Sequence, residues 1–303
     1  MNPTARCARL IFVLVAGAVC VPVAQGTTGL AFLKTGVDAG ATLIGEAVTS
    51  HVSDASACYW NPAGLAHIDS PTLLVSHVES FADIRHEYAA AVQPLGRLNA
   101  GIFFNGLWTD DLEGYDEQAN PTGAFGFSTY ATGLSLGLPI RDGLNAGGTL
   151  KYLNESIGAY SATGWVVDLG AQWIPSDDVP LQFGGVVQNL GPSLTYIEES
   201  FDAPLMIQGG ASYAILLDAL QGRVELAAEA RHVRDEGGAF LAGAAYEYRE
   251  LLRFGLGYQG GRDTRDVSVG LGVHPGRLSA YWAYVPFSDD LGEEHRFSLG
   301  LDL

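Results

Sequence analysis

From Pro71 to Leu303 the chain is a succession of short, glycine-rich segments in which apolar and polar side chains alternate. The last segment is the plainest: Phe297, Leu299, Leu301 and Leu303 alternate with Arg296, Ser298, Gly300 and Asp302. A period of two means a strand with one apolar face. Such segments centre on 72–79, 85–93, 97–107, 126–138, 143–154, 161–174, 180–189, 204–215, 222–232, 238–248, 251–259, 265–274, 277–286 and 294–303. The even count of fourteen suits a closed antiparallel barrel whose two ends share one rim.

The connections sort by parity. After even-numbered segments they are mostly tight, as at Pro94-Leu95-Gly96, Arg141-Asp142-Gly143 and Pro275-Gly276. After odd-numbered segments several are longer and acidic, notably 108–125, 189–203 and 286–293. Short turns on one rim and long loops on the other are the pattern of a transmembrane barrel. In lipid only helices and closed barrels satisfy every backbone hydrogen bond. A soluble β-sandwich also alternates, but three features favour the membrane: the loop parity, an N-terminal export signal, and aromatics near strand ends (Trp108, Tyr152, Trp165, Trp173, Tyr258 and Tyr284).

The export signal is read over residues 1–26. Arg6 and Arg9 form a basic start, Leu10 to Val23 an apolar run too short to span a bilayer as a helix, and Ala24-Gln25-Gly26 a small-x-small cleavage site. Cys7 and Cys20 leave with it, so Cys58 alone remains and no intrachain disulfide forms. The formal net charge of −18 excludes nucleic acid as a partner. Lysine is confined to Lys34 and Lys151.

In a lipid-embedded barrel the apolar face points outward. Lys151, Asn145, Asp168, Gln172, Gln182, Gln188, Glu225, Glu229, Arg231 and Arg253 then face the lumen with many glycines, filling and solvating it. Two catalytic patterns fail on context. Gly133-Leu134-Ser135-Leu136-Gly137 matches a nucleophile elbow but sits mid-strand, and Gly255 to Gly260 matches a dinucleotide fingerprint but feeds no helix. The histidines show no metal-ligand spacing, and neither a metal nor a cofactor is expected. The chain reads as a non-enzyme.

Residues 27–70 differ from the barrel at 71–303. They are alanine- and glycine-rich and carry the turn signals Asn61-Pro62 and Ala63-Gly64, so short helical turns and loop are expected. Phe32 to Ala41, Ile44-Gly45-Glu46-Ala47, Asp54 to Ala57 and Tyr59-Trp60-Asn61-Pro62-Ala63-Gly64-Leu65-Ala66 resemble the opening of PorV/PorQ-family proteins, within the wider FadL-like group of barrels. The resemblance implies a 14-stranded transmembrane β-barrel in the bacterial outer membrane, termini periplasmic, with residues 27–70 as a hatch inside the lumen. The residues alone leave a periplasmic cap as the alternative. Tyr59, Trp60, Asn61, Pro62, Ala63 and Gly64 form the hatch motif. The resemblance implies first an accessory role, shuttle or scaffold, in protein secretion to the cell surface such as type IX secretion, with secretion components or cargo as partners. The alternative is a FadL-like passive transporter of hydrophobic small molecules. Leu33, Val37, Ile44 and Trp60 are then the apolar candidates for solute contact. Outer-membrane lipid is a partner in either case.

Overall fold

The computed structural model describes residues 29–80, 84–109, 112–116, 118–176, 178–196, 199–261, 266–287 and 292–303. The expected export signal lies outside these residues, as do the loop acids Asp110, Asp111, Glu117, Glu198, Asp289 and Asp290.

The strands are β1 (Thr72–Glu79), β2 (Arg85–Leu95), β3 (Leu98–Trp108), β4 (Leu112–Tyr115), β5 (Pro121–Phe125) and β6 (Phe127–Arg141). β7 (Leu144–Ile157), β8 (Tyr160–Trp173), β9 (Leu181–Leu190), β10 (Leu194–Tyr196), β11 (Glu199–Phe201) and β12 (Met206–Leu217) follow. The last are β13 (Gly222–Val233), β14 (Gly237–Tyr248), β15 (Leu252–Gly260), β16 (Val267–Val273), β17 (Leu278–Pro286) and β18 (Glu293–Asp302). Fourteen of them close into one antiparallel barrel; β4 with β5 and β10 with β11 form small separate hairpins within two of the long loops. Every segment marked from alternation is a barrel strand. The two hairpins were not anticipated: β4 and β5 are almost wholly exposed, so no burial imposes a pattern on them.

β1 closes the ring against β18, in register from Thr72 opposite Asp302 to Glu79 opposite His295. Alternation sets which face looks out. Phe297 and Leu299 are 47% and 59% exposed, whereas Arg296 and Ser298, which alternate with them, are 1% and 2%. The same inversion runs round the wall, with Ile102, Leu134, Leu169, Phe254 and Leu256 outside. Soluble monomers rarely expose apolar patches above a few hundred Å²; a complete apolar belt matches bilayer hydrocarbon. Outward aromatics pair across neighbouring strands, Tyr152 with Trp165 at 5.1 Å and Trp173 with Phe183 at 5.7 Å between ring centroids.

Among the described strands the wall register shifts at two places, between Pro139 and Arg141 beside the β6–β7 turn and, deeper in the wall, between β8 and β9. Between Val167 and Leu169 the β8–β9 register shifts, and Asn189 takes a left-handed φ of 64°. The extra residue of such a bulge leaves a ladder group unpaired. Here the Asn189 N–H donates to Asp168 Oδ1 at 2.8 Å, and the buried Lys151 ammonium binds both Asp168, at 2.8 Å, and the Asn189 side-chain carbonyl.

Residues 29–70 occupy the lumen. They form 3₁₀ turns at Ala31–Lys34 and Pro62–His67 and two one-turn helices, α1 (Ala39–Thr42) and α2 (Ala57–Trp60). Gly29 lies against the Phe201 ring of the β10/β11 hairpin, at the long-loop rim. The Leu65 and Ile68 carbonyls accept from Asn99 Nδ2 beside the tight β2–β3 turn at the other rim, where the chain enters β1. The segment therefore threads the barrel from one end to the other.

Candidate functional site

The hatch is too short in each piece to hold itself by helix formation, so its order comes from caps and from the wall. Asp38 is the organising residue. Its Oδ2 accepts from the Ala41 N–H at 2.8 Å, capping α1, and its Oδ1 accepts from Trp60 Nε1 at 2.6 Å, tying α1 to α2. Burial, and then the charge of Asp54, push the Asp38 carboxyl up to about 6. Tyr59 Oη lies 2.9 Å from the carbonyls of both Leu33 and Thr35. Asn61 caps the Pro62–His67 turn through the Ala63 N–H at 3.1 Å, and its Nδ2 donates to Thr49 O and to the wall carbonyl of Ala171. The rest of the motif follows from this cap: Pro62 at the first helical position gives up no needed donor.

The wall receives the hatch in two ways. Lumen amides and hydroxyls donate to its carbonyls: Gln188 to Tyr59 at 2.6 Å, Gln172 to Thr49 and Val52, Gln208 to Glu46, and Ser268 to Thr42 at 2.6 Å. The lumen polar residues are thus clamps for irregular backbone, whose buried polar groups need partners. Inward glycines then let the backbones meet. A Cβ at Gly147 would overlap the Pro62 carbonyl, one at Gly184 Thr49, one at Gly243 Ile44 and one at Gly257 Gly45.

Charge fixes the centre. Glu46, at a left-handed φ of 61°, pairs with Arg231 of β13 at 3.0 Å and with Arg296 of β18 at 3.4 Å. Arg296 also binds Glu294 and donates to Thr42 Oγ1 at 2.7 Å. The Arg231 guanidinium lies 6.0 Å from the Trp60 ring centroid, within cation–π reach. At the long-loop rim Lys34 Nζ meets Asp235 at 2.7 Å and Glu236 at 2.9 Å. Burial opposes the Lys34 charge, yet these two carboxylates outweigh it and raise its pKa.

Two of the cavities among the described residues flank the hatch, and their chemistry differs. At the short-turn rim a cavity of about 620 Å³ is lined by a chain of polar contacts: His51 with Glu225 at 2.6 Å, and the ion pairs of Arg253 with Glu225 and Glu247 and of Arg223 with Glu247. At the long-loop rim a cavity of about 340 Å³ is mostly apolar; Leu30, Phe32, Val78, Ile84, Leu107 and Phe127 line it, between the first hatch turn and β1, β2, β3 and β6.

The hatch motif residues Tyr59 to Gly64 stand together in the lumen and are all buried. Of the four apolar candidates, Ile44 lines the charged cavity; Leu33, Val37 and Trp60 are packed within the hatch. Sequence reading missed Asp38, Glu46 and the glycine seats. A signal for the last was present, since glycine recurs at alternate lumen-facing positions such as Gly255, Gly257, Gly270 and Gly272. The elbow-like Ser135 donates or accepts at Thr149 Oγ1, 2.8 Å away, and lies 3.4 Å from the Cys58 carbonyl: a wall contact, without a base.

No protein-family model matches the sequence, and no curated protein aligns with it. Solved structures do match in shape. The CymD monoaromatic hydrocarbon channel superposes with a TM-score of 0.63 at 13% identity, over 91% of this chain and 99% of its own. The toluene transporter TodX of Pseudomonas putida gives 0.60 at 11%, over 91% and 96%. A FadL homologue of Pseudomonas aeruginosa gives 0.56 at 12%, over 92% and 99%. The chain therefore has the closed fourteen-stranded fold of the FadL-like outer-membrane channels.

Proposed function

We propose that this protein is a passive channel for hydrophobic small molecules in the bacterial outer membrane, non-enzymatic, with residues 29–70 as the hatch that closes the lumen. The apolar cavity of about 340 Å³ at the long-loop rim carries this reading. Its size and lining suit a small apolar solute, whereas the charged cavity beyond the hatch does not. In this reading the long-loop rim faces outward, the short-turn rim and both chain ends face the periplasm, and the solute enters at the first hatch turn. Leu33, Val37, Ile44 and Trp60 meet it only once the hatch moves. The fold neighbours named as hydrocarbon channels support the same reading.

An accessory role in protein secretion, of the PorV/PorQ type, becomes the second reading. It rests on the resemblance of the hatch motif and on the long-loop hairpins, which a protein partner could grip: β4/β5 is almost wholly exposed, and β10/β11 exposes Thr195, Glu199 and Ser200.

The test is calorimetric titration of the detergent-purified full chain with toluene. Saturable binding, abolished by Ala31→Trp, which fills the cavity, is expected. No binding, or binding indifferent to that substitution, overturns the reading. Loss of surface export on deleting both hairpins would instead favour the secretion role.

A further inference from the structure

The polar edge of the apolar cavity is unusual. Its lining includes two carboxylates, Glu155 and Glu294, and one histidine, His86, and among the described residues no lysine or arginine. Glu294 is engaged by Arg296. Glu155 is different. It projects inward from the end of β7 and is only 7% exposed. Its Oε2 accepts from the Leu30 N–H at 3.1 Å and its Oε1 from Tyr196 Oη at 3.4 Å. Both donors are neutral, and among the described residues no basic side chain pairs with it. A carboxylate offers about four acceptor positions, so Glu155 retains capacity on the cavity side.

We propose that this cavity selects uncharged one-ring molecules carrying a hydrogen-bond donor, such as alkylphenols, and rejects carboxylates, with Glu155 as the discriminating residue. The inference rests on the channel reading above and names its substrate class. An apolar cavity of about 150 Å³ accepts benzene, so about 340 Å³ holds one ring with alkyl substituents. A hydroxyl on that ring donates to the spare acceptor of Glu155, and a hydrogen bond to a charged group is among the stronger kinds. An anionic ligand puts like charge beside Glu155 in a poorly hydrated site, a penalty on the order of a hundredfold in affinity. Thr35 and Ser80 also line the cavity without charge, and His86 Nε2 is turned to Asn105 Oδ1 of the wall.

The experiment compares toluene, p-cresol and p-toluate on the full chain in detergent at pH 7.5. These share one ring and one methyl group, and differ in the donor and the charge. The expected order is p-cresol about tenfold tighter than toluene, with p-toluate about a hundredfold weaker than toluene. Glu155→Leu equalises p-cresol and toluene. Glu155→Gln, nearly isosteric and suited to a fold that rejects leucine there, raises p-toluate affinity at least about tenfold. Toluene binding with no p-cresol preference, or p-toluate binding as well as toluene, overturns the inference and leaves the channel reading standing. Failure of all three to bind overturns both.

Discussion

Glu46 of the hatch and Arg231 of the wall form an ion pair of 3.0 Å in which the two side chains are 2% and 3% exposed. Removing one member of a buried pair strands the other, at a cost of about 3–5 kcal/mol. Glu46→Ala strands Arg231 and takes from Arg296 one of its two carboxylates, Glu294 remaining. The expected outcome is an undocked hatch in an intact barrel, read as higher ion conductance in planar bilayers. Cys58 supplies a second reading. It is fully buried, and burial pushes its thiol up to about 12, so maleimide leaves the parent protein unlabelled and modifies Glu46→Ala. Replacing the pair by methionine on both sides restores protection.

The wall glycines give a second outcome. Gly147→Ala forces a Cβ into the Pro62 carbonyl, where neither backbone can yield, whereas a Cβ at Gly238 meets nothing within 4 Å. Gly147→Ala is expected to expose Cys58 to maleimide while the barrel keeps its heat-modifiable migration. Gly238→Ala leaves both unchanged.

Asp38 predicts a pH dependence. Its carboxyl is raised in the folded protein from 3.8 to about 6, by burial first and by Asp54 second. A carboxyl raised on folding stabilises the fold below its unfolded pKa, and that contribution is lost as pH rises through the folded value. Hatch protection therefore declines between about pH 4 and pH 7. Hydrogen-exchange protection of the α1 amides, corrected for intrinsic rates, checks this. Asp38→Asn is expected to flatten the dependence and to lower protection throughout, because its NH₂ cannot accept from Ala41 or Trp60.

Lys151 and Asp168 hold the β8–β9 bulge, with side chains 2% and 1% exposed. Lys151→Met leaves Asp168 buried without its cation and is expected to destabilise the barrel by about 3–5 kcal/mol. A lowered guanidinium midpoint at unchanged slope measures it. Combining Lys151→Met with Asp168→Leu is expected to recover most of the loss, because no charge is then left stranded.

The barrel was legible because its signal is local. Each strand must turn Leu or Phe outward and Arg or Ser inward within a few residues, as Arg296 to Leu299 do, and that constraint writes itself into the order of side chains. The short turns of the hatch were legible for a similar reason, since Asn61 and Pro62 are start signals wherever they fall. What the hatch touches was not. Asn61 meets Ala171 across 110 positions and Glu46 meets Arg231 across 185, and no pattern within either segment names the other. Gln172 and Gln188 read as lumen filling because a polar inward residue looks the same in sequence whether it faces water or a carbonyl. The order of the two functional expectations also changed, because a motif shared among plugs says how a plug is seated and little about what passes it.

Ser298 makes two contacts at once: it accepts the Ala39 N–H of the hatch at 2.8 Å and donates to Ser76 of β1 at 2.9 Å. Ser76 and Ser298 face each other across the β1–β18 seam, the pairing that turns a sheet into a ring. The hatch and the closing pair of strands thus share one hydroxyl, so seating the plug and sealing the ring are mechanically one event, and a substitution that unseats residues near Ala39 is expected to loosen the β1–β18 seam as well as the lumen.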